Sequence, residues 1–156
     1  MPRHPPDGKA AALEAAPTAA DARKPRPPGQ RTLLIVDDEV DILESLDAYF
    51  RRTLPNVKVL LARSAAEGVK VLRRDAVDLV IADFRMAGMD GLEFLRVAQE
   101  LAPQAPRIMI TAYPDAHLAV QARVATDVSL LVTKPFDVAT FGRSIAAIMG
   151  ITDGDF

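Results

Sequence analysis

Five short runs of Val, Ile and Leu, each followed by a longer stretch with helical periodicity, constrain this chain more than any other feature. The runs are TLLIV (32–36), VKVLL (57–61), VDLVIA (77–82), RIMI (107–110) and VSLLV (128–132). Short and rich in branched apolar side chains, they read as strands buried on both faces of a parallel sheet. After the first run, Ile42, Leu43, Leu46, Tyr49 and Phe50 recur at helical spacing, and Val138, Phe141, Ile145, Ile148 and Met149 do the same after the last. Helical segments near 65–73, 91–101 and 115–124 complete the set, with Ser64 and Asp90 placed as N-caps. Strands alternating with single helices predict an α/β fold of five β–α units, a parallel sheet with right-handed crossovers and helices on both faces. Ligands of such open sheets sit beyond the carboxyl ends of the strands, where the strand order reverses. The residues that follow each run are therefore the candidates for chemistry.

The flanks differ in texture. Residues 1–30 hold seven of the twelve prolines and almost no large apolar side chain, so they cannot bury enough surface to offset their ordering entropy. We expect a disordered Pro/Ala-rich tail there, in which PRPPG (25–29) has the composition of a polyproline II ligand. The folded unit is expected over 31–150, with a short C-terminal tail at 151–156. The net charge of -2 argues against direct nucleic-acid binding. The absence of cysteine excludes disulfides and thiolate metal sites. No apolar run approaches the roughly 18 residues of a membrane span, and the Ala-rich stretch at 10–16, broken by Glu14, lacks the apolar centre of a signal peptide. A cytoplasmic protein without membrane insertion is expected.

Asp37, Asp38 and Glu39 follow the first strand, Asp83 the third, Thr111 the fourth, and Lys134 with Pro135 the fifth. Carboxylates gathered at one rim repel one another by a few kcal/mol at an effective dielectric near 20, unless a divalent cation lies among them. Oxygen ligands with no His or Cys nearby point to Mg²⁺ and disfavour zinc. Asp83 then has two jobs open to it, metal ligand and nucleophile. Attack on a phosphoryl donor would give an aspartyl phosphate whose oxygens need partners: the cation, the Lys134 ammonium, and the Thr111 hydroxyl. The plainer account makes Asp37 and Asp38 helix caps, Asp83 a turn residue and Lys134 an ordinary ion-pair partner. It serves each residue singly but not all of them together at four strand ends.

The same residues carry a family resemblance. IVDDE at the end of the first strand, DFRMAGMDG from Asp83 to Gly91, MITAY around Thr111 and VTKPF around Lys134 occur in order and with suitable gaps. Over residues 31 to about 150 the chain resembles the receiver domain of two-component response regulators. The resemblance implies a flavodoxin-like fold with strand order 2-1-3-4-5, and phosphorylation of Asp83 by a sensor histidine kinase or a histidine phosphotransfer protein. It further implies that Asp38, Asp83 and the main-chain carbonyl of Arg85 bind Mg²⁺ directly, that Asp37 acts through water, and that the Lys134–Pro135 bond is cis and aims the ammonium. The face of the fourth helix, fifth strand and fifth helix would bind a downstream protein or a second copy, with His117, Gln121 and Arg143 as exposed contacts. No room for an output domain follows residue 150 in this sequence, so a stand-alone switch or phosphorelay intermediate is expected, not an enzyme.

Two positions depart from the pattern, and two more bear on it. Leu131 stands where receivers commonly carry a switching Tyr or Phe, and Ala87 replaces a proline that stiffens the loop. Tyr113, two residues past Thr111, either covers the site or takes over the read-out, or is an ordinary loop aromatic. Arg85 lies two residues past Asp83, a position that influences phosphate lifetime in the family. Two other readings stay open: a degenerate receiver that docks partners without phosphorylation, and a metal-dependent phosphohydrolase with an aspartyl intermediate. The second fits less well, because its D-x-D pattern is replaced here by adjacent carboxylates. A dinucleotide-binding enzyme fits less well still, since no glycine-rich turn follows the first strand.

Overall fold

The apolar runs and the stretches of helical periodicity become five strands and five helices in strict alternation. The structure, a computed structural model, describes residues 26–112 and 115–151. The strands are β1 (Arg31–Val36), β2 (Val57–Ala62), β3 (Leu79–Asp83), β4 (Arg107–Thr111) and β5 (Leu130–Thr133). The helices are α1 (Val40–Thr53), α2 (Ala65–Arg74), α3 (Gly91–Leu101), α4 (Ala116–Thr126) and α5 (Val138–Ile148). All strand pairs are parallel and the order is β2-β1-β3-β4-β5, the flavodoxin-like arrangement expected. The expectations for the N-terminal tail up to residue 25, for Tyr113 and for the C-terminal tail from residue 152 lie outside the described residues.

Alternate side chains of each strand feed two separate cores. Leu34, Val36, Val80, Ala82 and Met109 pack with α2, α3 and α4, while Leu33, Ile35, Leu79, Ile81, Ile108 and Ile110 pack with α1 and α5. Of the five strands, β3 and β4 are buried along their length on both faces, and β1 is buried beyond Arg31. The outer strands β2 and β5 keep exposed positions, among them Lys58, Leu61 and Thr133, which corrects the expectation of full burial for all five. An edge strand has one neighbour and thinner helix cover, so its outward residues meet water. β3 and β5 also begin two residues later than their apolar runs: Asp78 is occupied by bonds to Thr32 and Arg26, far away in the sequence, and Asp127, left-handed at φ 50°, ends α4 and turns the chain before Leu130.

The ends of the elements are tied by specific polar groups. Ser64 and Asp90 accept hydrogen bonds from the amides of Glu67 and Glu93 at 3.1 and 2.8 Å, as the sequence predicts. Asp115 and Asp137 cap α4 and α5 in the same way. Arg107, buried at the start of β4, donates from its guanidinium to the carbonyls of Thr126 (2.7 Å) and Ala105 (3.0 Å), placing a cation at the C-terminus of α4. At the same pole, Asp78 accepts the Thr32 amide at 2.7 Å and pairs with Arg26. Among the described residues, contacts to the folded unit thus include Arg26, which corrects the expectation of a disordered tail as far as residue 30.

One glycine decides how closely α3 follows β3. A Cβ on Gly91 would stand 2.2 Å from the Asp83 carbonyl oxygen and 2.8 Å from Phe84 Cα, both main-chain atoms that cannot move aside. The Gly91 amide donates to the Phe84 carbonyl at 2.7 Å, closing the loop that carries Asp83. Gly91→Ala is expected to destabilise the protein by about 3 kcal/mol, the upper range for forced overpacking, read as a lower urea midpoint at unchanged m-value.

Candidate functional site

The carboxyl ends of β1, β3, β4 and β5 meet at one rim, and each brings one of the residues singled out from the sequence. Asp83 is the last residue of β3, Thr111 the last of β4, and Asp37 and Asp38 follow β1 directly. Lys134 follows β5 and is held by main chain, its amide donating to the Thr111 carbonyl at 2.8 Å. The Lys134–Pro135 bond is cis, as the resemblance implies. Parallel pairing sets this convergence: Asp83 lies beside Ile110, and Thr111 beside Thr133.

Carboxylate oxygens of Asp37, Asp38 and Asp83 all lie within 4.8 Å of one another. Asp37 and Asp83 are buried, whereas Asp38 is exposed. Asp37 also serves the main chain, since its Oδ1 accepts the Glu39 amide at 2.8 Å. The helix-cap role of the plainer account is thus partly realised: Glu39 is the N-cap of α1 and makes no side-chain cap bond, while Asp37 takes the amide beside it. Arg85 is exposed and lines a pocket of about 180 Å³ together with Glu39, Asp83, Ala112 and Lys134.

Lys134 faces this cluster with its ammonium. Its Nζ lies 3.0 Å from Asp83 Oδ1, 3.3 Å from Asp37 Oδ2 and 2.9 Å from Glu39 Oε1. Sequence reasoning placed Glu39 among the rim carboxylates but gave it no partner of its own. Its 95-residue separation from Lys134 hides the contact until the fold brings the ends of β1 and β5 together. Leu131 is half-buried and packs on the core beneath α4, where it stands level with Met109 of β4. Phe136, also half-buried, stacks obliquely on Phe141 with ring centroids 4.8 Å apart. His117, Gln121 and Arg143 are exposed, as expected.

Three acids around one ammonium leave negative charge in excess. Burial pushes the Asp37 carboxyl up to about 6, with the Glu39 amide holding it down and the charge of Asp83 adding to the rise. Burial likewise raises Asp83, against the opposing hydrogen bond and charge of Lys134. For Lys134, burial disfavours the charge, but hydrogen bonds to Glu39 and Asp83 and the charges of Asp37 and Asp83 outweigh it and raise its pKa. A cluster of oxygen donors with surplus negative charge, partly shut off from water, fits a hard divalent cation such as Mg²⁺.

These shifts give the cation-free protein a signed pH dependence. Folded Asp37 holds its proton more tightly than the unfolded chain does, so stability falls as pH rises from about 4 through about 6. A rise from 3.8 to about 6 amounts to about 3 kcal/mol for Asp37, and Asp83 acts in the same direction. The raised Lys134 stabilises throughout this window and loses its contribution only in strong alkali. In chelator, urea denaturation is expected to show higher stability at pH 5 than at pH 7.5, and Asp37→Asn to remove much of the difference.

The family model for the response regulator receiver domain matches residues 33–146. Among curated proteins, the transcriptional regulatory protein GlrR of Escherichia coli is 42% identical over 108 residues, which cover 67% of this chain and 23% of that protein. The response regulator protein PilR of Pseudomonas aeruginosa is 35% identical over 116 residues, covering 74% of this chain and 25% of that one. The chain thus spans about a quarter of the length of the relatives it matches. Among solved structures, a CheY-like receiver domain protein of Methanospirillum hungatei superposes with a TM-score of 0.72 at 26% identity, covering 78% of this chain and 94% of that one. No helix among the described residues is long and apolar enough to cross a membrane. Convergent strand ends, ordered motifs and relatives agree: the chain belongs to the receiver-domain family of two-component response regulators.

Proposed function

We propose that this receiver accepts a phosphoryl group on Asp83 from a phosphohistidine of a sensor kinase or phosphotransfer protein, and passes the signal on by protein contacts in the cytoplasm. The observation that carries this reading is the meeting of Asp83 and Lys134, from strands that are not neighbours, at 3.0 Å beside the oxygens of Asp37 and Asp38. In the transfer, an Asp83 carboxylate oxygen attacks phosphorus, the O–P bond forms, and the N–P bond of the donor breaks. The imidazole leaves with the bonding electron pair and takes up a proton. Attack of water on phosphorus later returns the carboxylate and inorganic phosphate.

Each rim residue has a part in that step. Burial keeps competing water from the Asp83 oxygens. Lys134, tied through its amide to Thr111, offers a fixed ammonium to an equatorial phosphoryl oxygen. The Thr111 hydroxyl, at the end of the strand between those of Asp83 and Lys134, serves another and is drawn toward it in the product. Asp37, Asp38, Asp83 and the main-chain carbonyl of Arg85 would hold Mg²⁺, which when bound supplies positive charge against the incoming phosphoryl oxygens.

Read-out requires the phosphorylated site to favour one conformation over another. The α4–β5–α5 face, with His117, Gln121 and Arg143 exposed, is the surface we assign to a downstream protein or a second copy. Leu131 lacks a ring that could swing inward, so Thr111 itself is the lever toward β5. We assign the receiver unit to residues 31–150, flanked by tails.

Incubation with acetyl phosphate and Mg²⁺ is expected to add one phosphoryl group by intact mass. Asp83→Asn or a chelator abolishes the gain. Lys134→Ala slows uptake about a hundredfold, the usual loss for one donor to developing charge. Absence of any adduct favours a phosphorylation-independent docking module, and sustained turnover of a phosphomonoester favours a hydrolase. In thermal or urea unfolding, Mg²⁺ at ten times its dissociation constant is expected to stabilise the wild type by about 1.4 kcal/mol.

A further inference from the structure

The Lys134 ammonium has three N–H bonds, and three carboxylate oxygens stand around it. A phosphoryl oxygen that binds this ammonium must displace one of them. The three are unequal in what displacement would require. Asp37 is 1% exposed and its other oxygen is committed to the Glu39 amide, so withdrawal would strand a buried charge. Asp83 carries the reacting oxygen and stays beside the incoming phosphorus. The Glu39 side chain is 58% exposed, makes the shortest of the three contacts at 2.9 Å, and forms a wall of the pocket that also holds Asp83 and Lys134. Turning outward, it enters solvent at once and leaves nothing buried without a partner.

We propose that Glu39 is a positioning residue that occupies the phosphoryl oxygen's place on Lys134 in the unphosphorylated protein and is released when Asp83 is phosphorylated. Glu39 thereby sets the threshold of the switch: it lowers the rate of phosphoryl uptake and the lifetime of the product by competing for the same ammonium. A second consequence is local to α1. Glu39 is the N-cap of that helix and makes no side-chain bond to its amides while it is held by Lys134. Release frees its carboxylate to approach the positive N-terminus of α1, so the state of Asp83 is felt at the start of the neighbouring helix.

This inference rests on phosphorylation of Asp83 as proposed above, and the test separates the two. Uptake from acetyl phosphate at fixed Mg²⁺, and decay after its removal, are followed by intact mass for the wild type, Glu39→Gln, Lys134→Gln and the double variant. Glu39→Gln is expected to accelerate uptake and prolong the phosphorylated state by about three- to fivefold, the scale of a partly exposed ion pair. The effect is expected to vanish in the Lys134→Gln background, followed over correspondingly longer times. Equal rates for wild type and Glu39→Gln overturn the inference alone. So does an effect that persists without Lys134, since that would be the general field of a removed charge. No uptake by any variant overturns the phosphorylation reading and this inference with it. Should Lys134→Gln fail to fold, Glu39→Asp decides: it keeps the charge but falls a methylene short of the ammonium. Rates like those of Glu39→Gln support the contact, and rates like wild type overturn it.

Discussion

One ammonium among three carboxylates is the interaction on which the rim depends. Asp37 and Asp83 alone at the ends of buried strands would each be a cost, because burial disfavours the charge and the neighbouring acids repel it. Lys134 offsets part of this and, by reaching back from the end of β5 to residues after β1 and at the end of β3, ties β5 to two strands with which it shares no hydrogen bonds. The compensation is incomplete, as the raised Asp37 and Asp83 make plain. The protein retains an electrostatic strain that a divalent cation and a phosphoryl group together would resolve, and a site built to bind charge needs such a surplus.

The sheet supplies the precision. In a parallel sheet all chains leave at the same edge, so residues far apart in sequence arrive side by side without any special loop. The reversal of order between β1 and β3 opens the crevice in which Asp37, Asp38 and Asp83 meet. Gly91 lets α3 start directly against the end of β3, which anchors the backbone on both sides of the Asp83 loop. Thr111 and Lys134 are joined through main chain, which fixes where the two side chains leave the backbone at the rim.

Much of this was legible because periodicity and strand-end chemistry are local signals. Five β–α units, the helix caps Ser64 and Asp90, and the rim position of Asp83, Thr111 and Lys134 all follow from spacing and residue type. Full burial of β2 and β5 did not follow, because an apolar run such as VSLLV reads the same whether it has one neighbour strand or two. Starts of β3 and β5 were misplaced for a related reason: Asp78 and Asp127 act through contacts to Thr32, Arg26 and Arg107 that are distant in sequence. The Glu39–Lys134 contact was hidden likewise. Nothing in DDE distinguishes a ligand, a cap and a competitor until the end of β5 is seen to lie beside it.

The buried Arg107 bears on how α4 can behave. Its guanidinium grips the final turn of that helix through the Thr126 carbonyl, at the pole of the sheet away from the rim. Only Leu118, Ala122 and Thr126 of α4 are buried, a narrow seam along an otherwise wet helix that exposes Val120 and Val124. A rod pinned at its foot and lightly seated along its length responds to a push at its head by tilting, not by sliding. A shift near Thr111 would then swing the head of α4, and the movement would fade along the helix toward the foot, which would act as the fulcrum.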